Sequence, residues 1–219
     1  MIAEIEPSPK GSCPSPRMAL RVATREAHAG LEENPCMRRL MASDVTLDDY
    51  AHVLRIFAAW HGPVEGLLSD LHQIDPDAGR RQCKALWLDA DLTALAGQTT
   101  AVPPSLTIGA VTGLVRPEDV PSMLGMAYVV EGATLGGELI ARHLSRSFGC
   151  QVPMRFFTAY GDQRSAMWQG FQLLLEKFIG DRAALDAAIG AANDTFRSLD
   201  QWLGRQSVTL FSEVAFHHE

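Results

Sequence analysis

Apolar residues recur every three or four positions along almost the whole chain, whereas the strict alternation typical of β-strands is scarce. This 3.6-residue period predicts a succession of amphipathic α-helices. The first helix is predicted over residues 18–33 and is expected to stop at Asn34, because the proline that follows disfavours helical backbone in the residue before it. A short helical segment, CMRRLMA, is predicted immediately afterwards.

The second long helix is expected to begin at Thr46, because a threonine cap followed by Asp48 and Asp49 is typical of a helix start. It is predicted to reach about Leu71, with a bend at Gly62 and Pro63. Further helices are predicted over residues 80–96, from Arg116-Pro117 to near Gly149, over 154–161, from Asp162 to Ile179, and from Asp181 to about Gln206. The pattern therefore predicts an all-α fold with seven or eight helices.

The helical pattern shows no internal repeat and no internal domain boundary. Residues 1–16 are rich in proline and serine and are predicted to be a disordered leader. Residues 17–206 are predicted to form a single helical domain, and residues 207–219 a C-terminal tail. With 219 residues, of which 47% are hydrophobic, the chain can bury a sizeable core.

Charge and composition narrow the class of protein. The net charge is −7 and no basic run occurs, which argues against a nucleic-acid partner. No apolar run approaches the ~20 residues that a transmembrane helix needs, and the N-terminus lacks the features of a secretion signal. The four cysteines have neither metal-ligand nor redox spacing, so free thiols are expected. These observations predict a cytoplasmic protein without a membrane partner.

One predicted helix contains glycines in its interior. Residues 128–144 read YVVEGATLGGELIARHL, and each of Gly132, Gly136 and Gly137 costs the helix ~0.5–1 kcal/mol relative to alanine. Gly132 and Gly136 are one turn apart, so together they create a side-chain-free stripe where a ligand could approach the backbone. Close packing between helices is the alternative explanation, since small residues also serve that purpose.

The first helix carries a candidate metal ligand in the segment LRVATREAHAGLEE. His28 and Glu32 are four residues apart, so the carboxylate can orient the imidazole and leave its other nitrogen for a metal. Arg21 lies two turns earlier on nearly the same face and could meet an anionic group of the same ligand. An ordinary ion pair on an amphipathic helix is the alternative. Combined with the glycine stripe, however, the pattern favours a planar cofactor clamped between two helices.

The pair LRVATREAHAGLE and YVVEGATLGGELIARHL resembles heme oxygenases, and bacterial, biliverdin-forming members in particular. The likeness extends from about Met18 to Trp202 and includes the blocks MRFFTAYGDQRSAMWQGF and AANDTFRSLDQWL. It implies a single-domain helical bundle that holds heme between its first helix and a kinked, glycine-rich distal helix. The overall look is similar to members that supply biliverdin to bacteriophytochromes.

The resemblance implies roles for seven residues. His28 would ligate the heme iron, Arg21, Glu32 and Phe196 would bind heme, and Gly132, Gly136 and Gly137 would be the distal glycines on the catalytic side. The implied activity is oxidative cleavage of heme to biliverdin, CO and Fe²⁺ with O₂. Electrons are expected from an external ferredoxin or reductase, because the chain has no flavin or nicotinamide fingerprint.

The chain departs from the family pattern in two places. Many members carry an aspartate directly after the first distal glycine, where it organises the waters that deliver protons, whereas this chain has Ala133. A non-catalytic heme-binding protein for storage, delivery or sensing is therefore the alternative. The later propionate-binding positions do not align cleanly, with Arg164, Lys177 and Gln169 as candidates. The meso carbon that is cleaved is consequently left open.

The other ring side chains near these motifs are expected to be structural. His52, His61 and His72 lie on or near the second long helix without metal-ligand spacing. Tyr128 and Trp168 are expected to belong to the core rather than to a site.

Overall fold

The computed structural model of the protein describes residues 15–99, 111–149 and 151–214. Ten α-helices and two 3-10 turns account for most of these residues, and none of them is in a β-strand. The helices are α1 (Pro16–Ala23), α2 (Arg25–Glu32), α3 (Pro35–Leu40), α4 (Leu47–Leu67), α5 (Ala78–Arg81), α6 (Lys84–Leu95), α7 (Val120–Phe148), α8 (Arg155–Thr158), α9 (Arg164–Phe178) and α10 (Arg182–Val214). The predicted all-α class is thus confirmed. The leader predicted for residues 1–16 falls almost wholly outside the described residues.

The first predicted helix is in fact two helices that meet at Thr24. The Thr24 backbone has φ −101° and ψ 3°, and its hydroxyl donates to the Leu20 carbonyl oxygen at 2.8 Å. A threonine hydroxyl that donates to the carbonyl four residues earlier competes with the backbone hydrogen bonds of the helix and often bends it. Because the His28 N–H still donates to the Thr24 carbonyl at 2.9 Å, α2 continues directly from the bend.

The start of α4 agrees with the prediction, because Thr46 and Asp49 form a reciprocal capping box. Its end does not: α4 stops at Leu67, with Pro63 inside it, and a 3-10 turn over Ser69–Gln73 follows. The helix predicted over residues 80–96 is likewise divided, because α5 and α6 are separated at Gln82 and Cys83.

The long helix α7 begins at Val120 rather than at Pro117. Asp119 caps it by accepting the Ser122 N–H at 2.7 Å, and Pro121 occupies the first turn that had been predicted for Pro117. The helix then continues without interruption through its glycines to Phe148. The last helix, α10, extends to Val214, beyond the predicted end at Gln206.

Helices α7 and α10 pack along each other and form the main seam of the bundle. Near the start of both helices, a β-carbon on Gly125 would lie 2.1 Å from the Ala188 carbonyl oxygen, so only glycine allows this approach. Trp202 of α10 fixes α4 by donating its indole N–H to the Ile56 carbonyl at 2.8 Å. Fully buried core side chains include Leu20, Leu54, Trp60, Leu124, Phe171 and Leu203. Within the described residues, no helix is both long and apolar enough to cross a bilayer.

Candidate functional site

The helices border a cavity of about 1140 Å³, which is lined by residues of every helix except α5. This volume lies above the ~300–1000 Å³ typical of small-molecule sites, so a large ligand can be accommodated. Its aromatic lining consists of Phe57, Trp60, Tyr128, Phe156, Phe157, Trp168 and Phe196. Tyr128 and Trp168, which were expected to belong to the core, pack against it and also line the cavity.

His28 projects from α2 into this cavity with 60% of its side chain exposed. Its Nδ1 lies 3.5 Å from the Glu32 carboxylate oxygen, so the carboxylate faces that nitrogen and Nε2 is the one that can coordinate a metal. Phe196 of α10 meets the imidazole edge to face, with 5.9 Å between ring centroids and 71° between the planes. His28 and Glu32, the pair found in the sequence, thus lie at the cavity. Phe196, which is distant from them in the sequence, contacts the imidazole ring and limits its orientation.

The three predicted glycines of α7 all line the cavity, but they differ in their surroundings. A β-carbon on Gly132 or Gly136 would have no neighbour within 4 Å, so the helix backbone is open to the cavity there. A β-carbon on Gly137 would instead lie 2.6 Å from the Phe157 carbonyl oxygen. Close helix packing therefore accounts for Gly137, whereas the backbone at Gly132 and Gly136 leaves space in which a ligand could lie.

Arginines contribute positive charge to the cavity lining. Arg21 lines the cavity, and Arg17, Arg25 and Arg38 do so as well. Arg17 also lies within hydrogen-bond distance of the side-chain amide of Gln172 on α9. Guanidinium groups in this position suit a ligand that carries carboxylates.

Three residues of α9 were candidates for binding the propionates of heme, and none of them lines the cavity. Arg164 instead pairs with Glu138 at 2.7 Å and donates to the Thr158 carbonyl at 3.0 Å. Gln169 and Lys177 are likewise absent from the lining, and Gln172 is the polar α9 side chain that reaches the cavity. Sequence spacing alone could not show which of these polar side chains turns inward.

A buried cluster of charges lies beside the glycine segment. Arg81 pairs with Asp75 at 2.5 Å and with Glu131 at 2.8 Å, and Lys84 pairs with Glu131 as well. The Tyr160 hydroxyl accepts from Lys84 at 2.9 Å and donates to Glu131. Burial lowers the pKa of Lys84, and the attraction of Glu131 opposes this only in part. The residue before Gly132 is thus fixed to α5 and α6.

A family model described as heme oxygenase matches residues 17–205. The chain belongs to the heme oxygenase family. A curated relative, the heme oxygenase of Xanthomonas campestris pv. campestris (strain 8004), is 34% identical over 166 residues, which cover 73% of this chain and 92% of the relative. The chain is accordingly a heme oxygenase, an enzyme that degrades heme.

Two solved heme oxygenases share the fold. The enzyme from Leptospira interrogans superposes with a TM-score of 0.69 at 16% identity, over 87% of this chain and 98% of its own. The NO- and CO-bound heme oxygenase from Neisseria meningitidis superposes with a TM-score of 0.63 at 18% identity, over 88% of this chain and 94% of its own. At such identities the likeness shows that the helical bundle is that of heme oxygenases.

The heme oxygenase cavity of this chain fits heme, the substrate of the family. His28 has one imidazole nitrogen available to coordinate the heme iron. The space that β-carbons would occupy at Gly132 and Gly136 is open. Arginines are available for the two propionates. Sequence reasoning missed His61, which was expected to be structural and lines the cavity from α4.

Proposed function

We propose that this heme oxygenase opens heme to biliverdin and releases CO and Fe²⁺, with O₂ and with electrons from an external ferredoxin or reductase. The observation that carries the proposal is the shared cavity: His28 of α2 and the open backbone at Gly132 and Gly136 of α7 border the same space. The cytoplasm is the proposed place of action. A bacteriophytochrome that takes up biliverdin is the proposed recipient of the product.

Each set of residues contributes to this reaction in a different way. Bound heme supplies the iron that binds and activates O₂. His28 holds that iron through Nε2, because its Nδ1 faces Glu32 and Phe196 keeps the ring in place. Arg21, together with neighbouring arginines of the cavity lining, holds the propionates and so sets how the substrate is turned in its plane.

The glycines of α7 serve the catalytic side. Gly132 and Gly136 let the helix backbone lie directly against the substrate, where a side chain would block the approach of O₂. Gly137 allows α7 to contact α8 and thereby fixes the position of the open segment. The aromatic lining makes much of the cavity wall apolar, which would limit the water that reaches the activated oxygen and so its side reactions.

A single-turnover assay tests the proposal. Protein loaded with hemin receives a reductant and O₂ in the presence of catalase, and visible spectra are recorded over time. We expect the heme bands to disappear while a long-wavelength bilin band grows. His28→Ala should abolish or severely slow this conversion. His72→Ala, which removes a histidine outside the cavity lining, should behave as the wild type.

A wild-type spectrum that stays that of heme, with no bilin, would contradict the proposed product. That result would favour the alternative of a heme carrier or sensor, for which Ala133 is the supporting feature. Normal conversion in His28→Ala would contradict the assigned iron ligand while leaving the activity intact.

A further inference from the structure

His143 of α7 forms a hydrogen bond that crosses to another part of the cavity wall. Its Nε2 lies 3.1 Å from the carbonyl oxygen of Ala42, which is 101 positions earlier in the chain, in the turn of residues 41–45 that follows α3. Because a carbonyl oxygen only accepts, Nε2 carries the hydrogen of this bond. The same oxygen accepts the Val45 N–H at 3.3 Å, so the turn itself fixes the acceptor.

The bond lies just beyond one end of the cavity. Met41, the neighbour of Ala42, lines the cavity, and so does Leu139, which precedes His143 by one turn of α7. Residues one turn apart share a helix face, so His143 extends the face that carries Leu139. Neither His143 nor Ala42 belongs to the lining itself. The bond therefore spans the gap where the walls formed by Met41 and Leu139 come together.

The two walls that this bond joins are held in place by different neighbours. Helix α3 packs against α2, α4 and α10, whereas α7 packs against α8, α9 and α10. Within residues 15–99, 111–149 and 151–214, no second hydrogen bond links α7 to the turn of residues 41–45. The bond is partly buried, so water competes with it less than it would at an open surface.

A ligand as large as heme enters or leaves a cavity between helices only when the walls move apart. Gly136, where the backbone of α7 is open to the cavity, precedes His143 by seven residues, so the bond holds a later part of the same helix. It opposes separation of α7 from the turn after α3. Because the bond uses no group of the cavity lining, it can persist whether or not a ligand is bound.

We propose that the hydrogen bond between His143 and Ala42 is a clasp that keeps this end of the cavity closed and so slows the exchange of heme. The clasp leaves the glycine segment of α7 as the part of the wall that moves. His143 acts on the substrate only through the position of α7, which makes it a positioning residue. The clasp slows the departure of biliverdin in the same way, and this last part rests on the function proposed above.

The test compares variants of His143 that keep or remove the donor. His143→Phe keeps a ring but has no N–H, and His143→Ala removes the donor without adding bulk, should the larger ring disturb folding. His143→Gln retains an N–H donor. Ser147→Ala is the matched control, because Ser147 is one turn later in α7 and its hydroxyl donates to the His143 carbonyl of its own helix at 3.3 Å.

Two quantities are measured on the full chain. The dissociation rate of hemin is followed by its transfer to excess apomyoglobin, and the equilibrium affinity is obtained by absorbance titration. We expect dissociation to be about fivefold faster in His143→Phe and His143→Ala, which equals about 1 kcal/mol for one net hydrogen bond. Because an open clasp speeds entry and exit alike, affinity should stay within about twofold of the wild type.

The remaining variants and a local probe complete the expected pattern. His143→Gln should dissociate more slowly than His143→Phe, and Ser147→Ala should match the wild type. Amide hydrogen exchange should become faster in residues 41–45 and 139–148 of His143→Phe and stay unchanged in α9, since only the clasped segments are released.

Wild-type dissociation rates in both His143→Phe and His143→Ala would overturn the proposal. An equal acceleration in Ser147→Ala would overturn it as well, because the effect would then come from α7 in general. So would an affinity that falls as much as dissociation rises, since His143 would then contact heme directly. These rates are measured without turnover, so they decide on the clasp even if the wild type makes no bilin.

Discussion

A β-carbon on Gly137 would lie 2.6 Å from the carbonyl oxygen of Phe157, so α7 and α8 touch here through their backbones. Five residues earlier in the same helix, a β-carbon on Gly132 would have no neighbour within 4 Å. Glycines of the same short segment therefore serve two needs, helix contact and open space. Substitution by alanine separates these needs experimentally.

Gly137→Ala is expected to destabilise the protein. The added methyl group meets backbone atoms that cannot move aside, and such overpacking typically costs ~1–3 kcal/mol, more than the ~1 kcal/mol gained in helix propensity. Urea unfolding of the heme-free protein measures the difference. Gly190→Ala is the matched control, because Gly190 lies in α10 with nothing within 4 Å of its β-carbon. Equal stability of the two variants would contradict the packing role of Gly137.

Gly132→Ala and Gly136→Ala are expected to have the opposite effect on the heme-free protein. Each should raise the free energy of unfolding by up to ~1 kcal/mol, because alanine favours helix and the space beside it is open. Both should weaken hemin binding, measured by absorbance titration, since their methyl groups occupy the cavity. Gly190→Ala should share the gain in stability and leave hemin affinity unchanged. Wild-type affinity in both cavity variants would place the substrate elsewhere.

The buried imidazole of His61 should make stability depend on pH. Its pKa is lowered from 6.5 to about 3 by burial first and by the positive charge of Lys84 second. The unfolded chain binds the proton more readily, so this contribution is fully present above pH 6.5 and is lost as the pH falls towards 3. The slope is ~1.4 kcal/mol per pH unit for one group.

His61→Gln should therefore lose less stability than the wild type between pH 7 and pH 4.5. Urea unfolding of the heme-free proteins at the two pH values measures this difference. His72→Gln controls for the loss of a histidine outside the cavity and should keep the wild-type dependence. Parallel loss in His61→Gln and the wild type would show that His61 does not titrate in this way.

Lys84→Met should be strongly destabilising. Glu131 is 2% exposed, and without Lys84 its only remaining partner of opposite charge in this cluster would be Arg81. Because Arg81 also pairs with Asp75, two buried carboxylates would then share one cation. Removing one partner of a buried ion pair typically costs ~3–5 kcal/mol. Adding Glu131→Gln should restore part of this loss, because the buried charges then balance again. Thermal and urea unfolding measure both effects, and exposed Lys177→Met should change stability by less than ~0.5 kcal/mol. A double variant less stable than Lys84→Met would contradict this account.

The sequence was sufficient for the fold class and for the two sides of the cavity. Helical periodicity is a local signal, and it predicted helices in nearly all the places where they occur. His28 and the glycines at 132 and 136 could be found because helix spacing places groups on one face without any knowledge of tertiary contacts. Their assigned roles in heme chemistry stay predictions that the experiments above address.

Features that depend on long-range contacts could not be found in the same way. The buried cluster consists of charged residues in helical segments, namely Arg81, Lys84 and Glu131. Because such residues are usually exposed, the sequence does not indicate that these are buried. His61 was missed for a related reason, since only the packed structure shows that its ring faces a cavity. The division of the first helix at Thr24 was missed because a threonine within a helix gives no sign of which hydrogen bond its hydroxyl will make.

The ion pairs of Glu131 have a mechanical consequence for α7. They tie the helix to its neighbours immediately before Gly132, whereas the following turn has no β-carbon at Gly132 or Gly136 to brace it against the rest of the protein. We therefore expect any bending of α7 to be concentrated between Glu131 and Gly137, since both ends of this segment are held by neighbouring elements. Local flexing of this segment would then be sufficient to admit substrate and release product, without a change in the seam between α7 and α10.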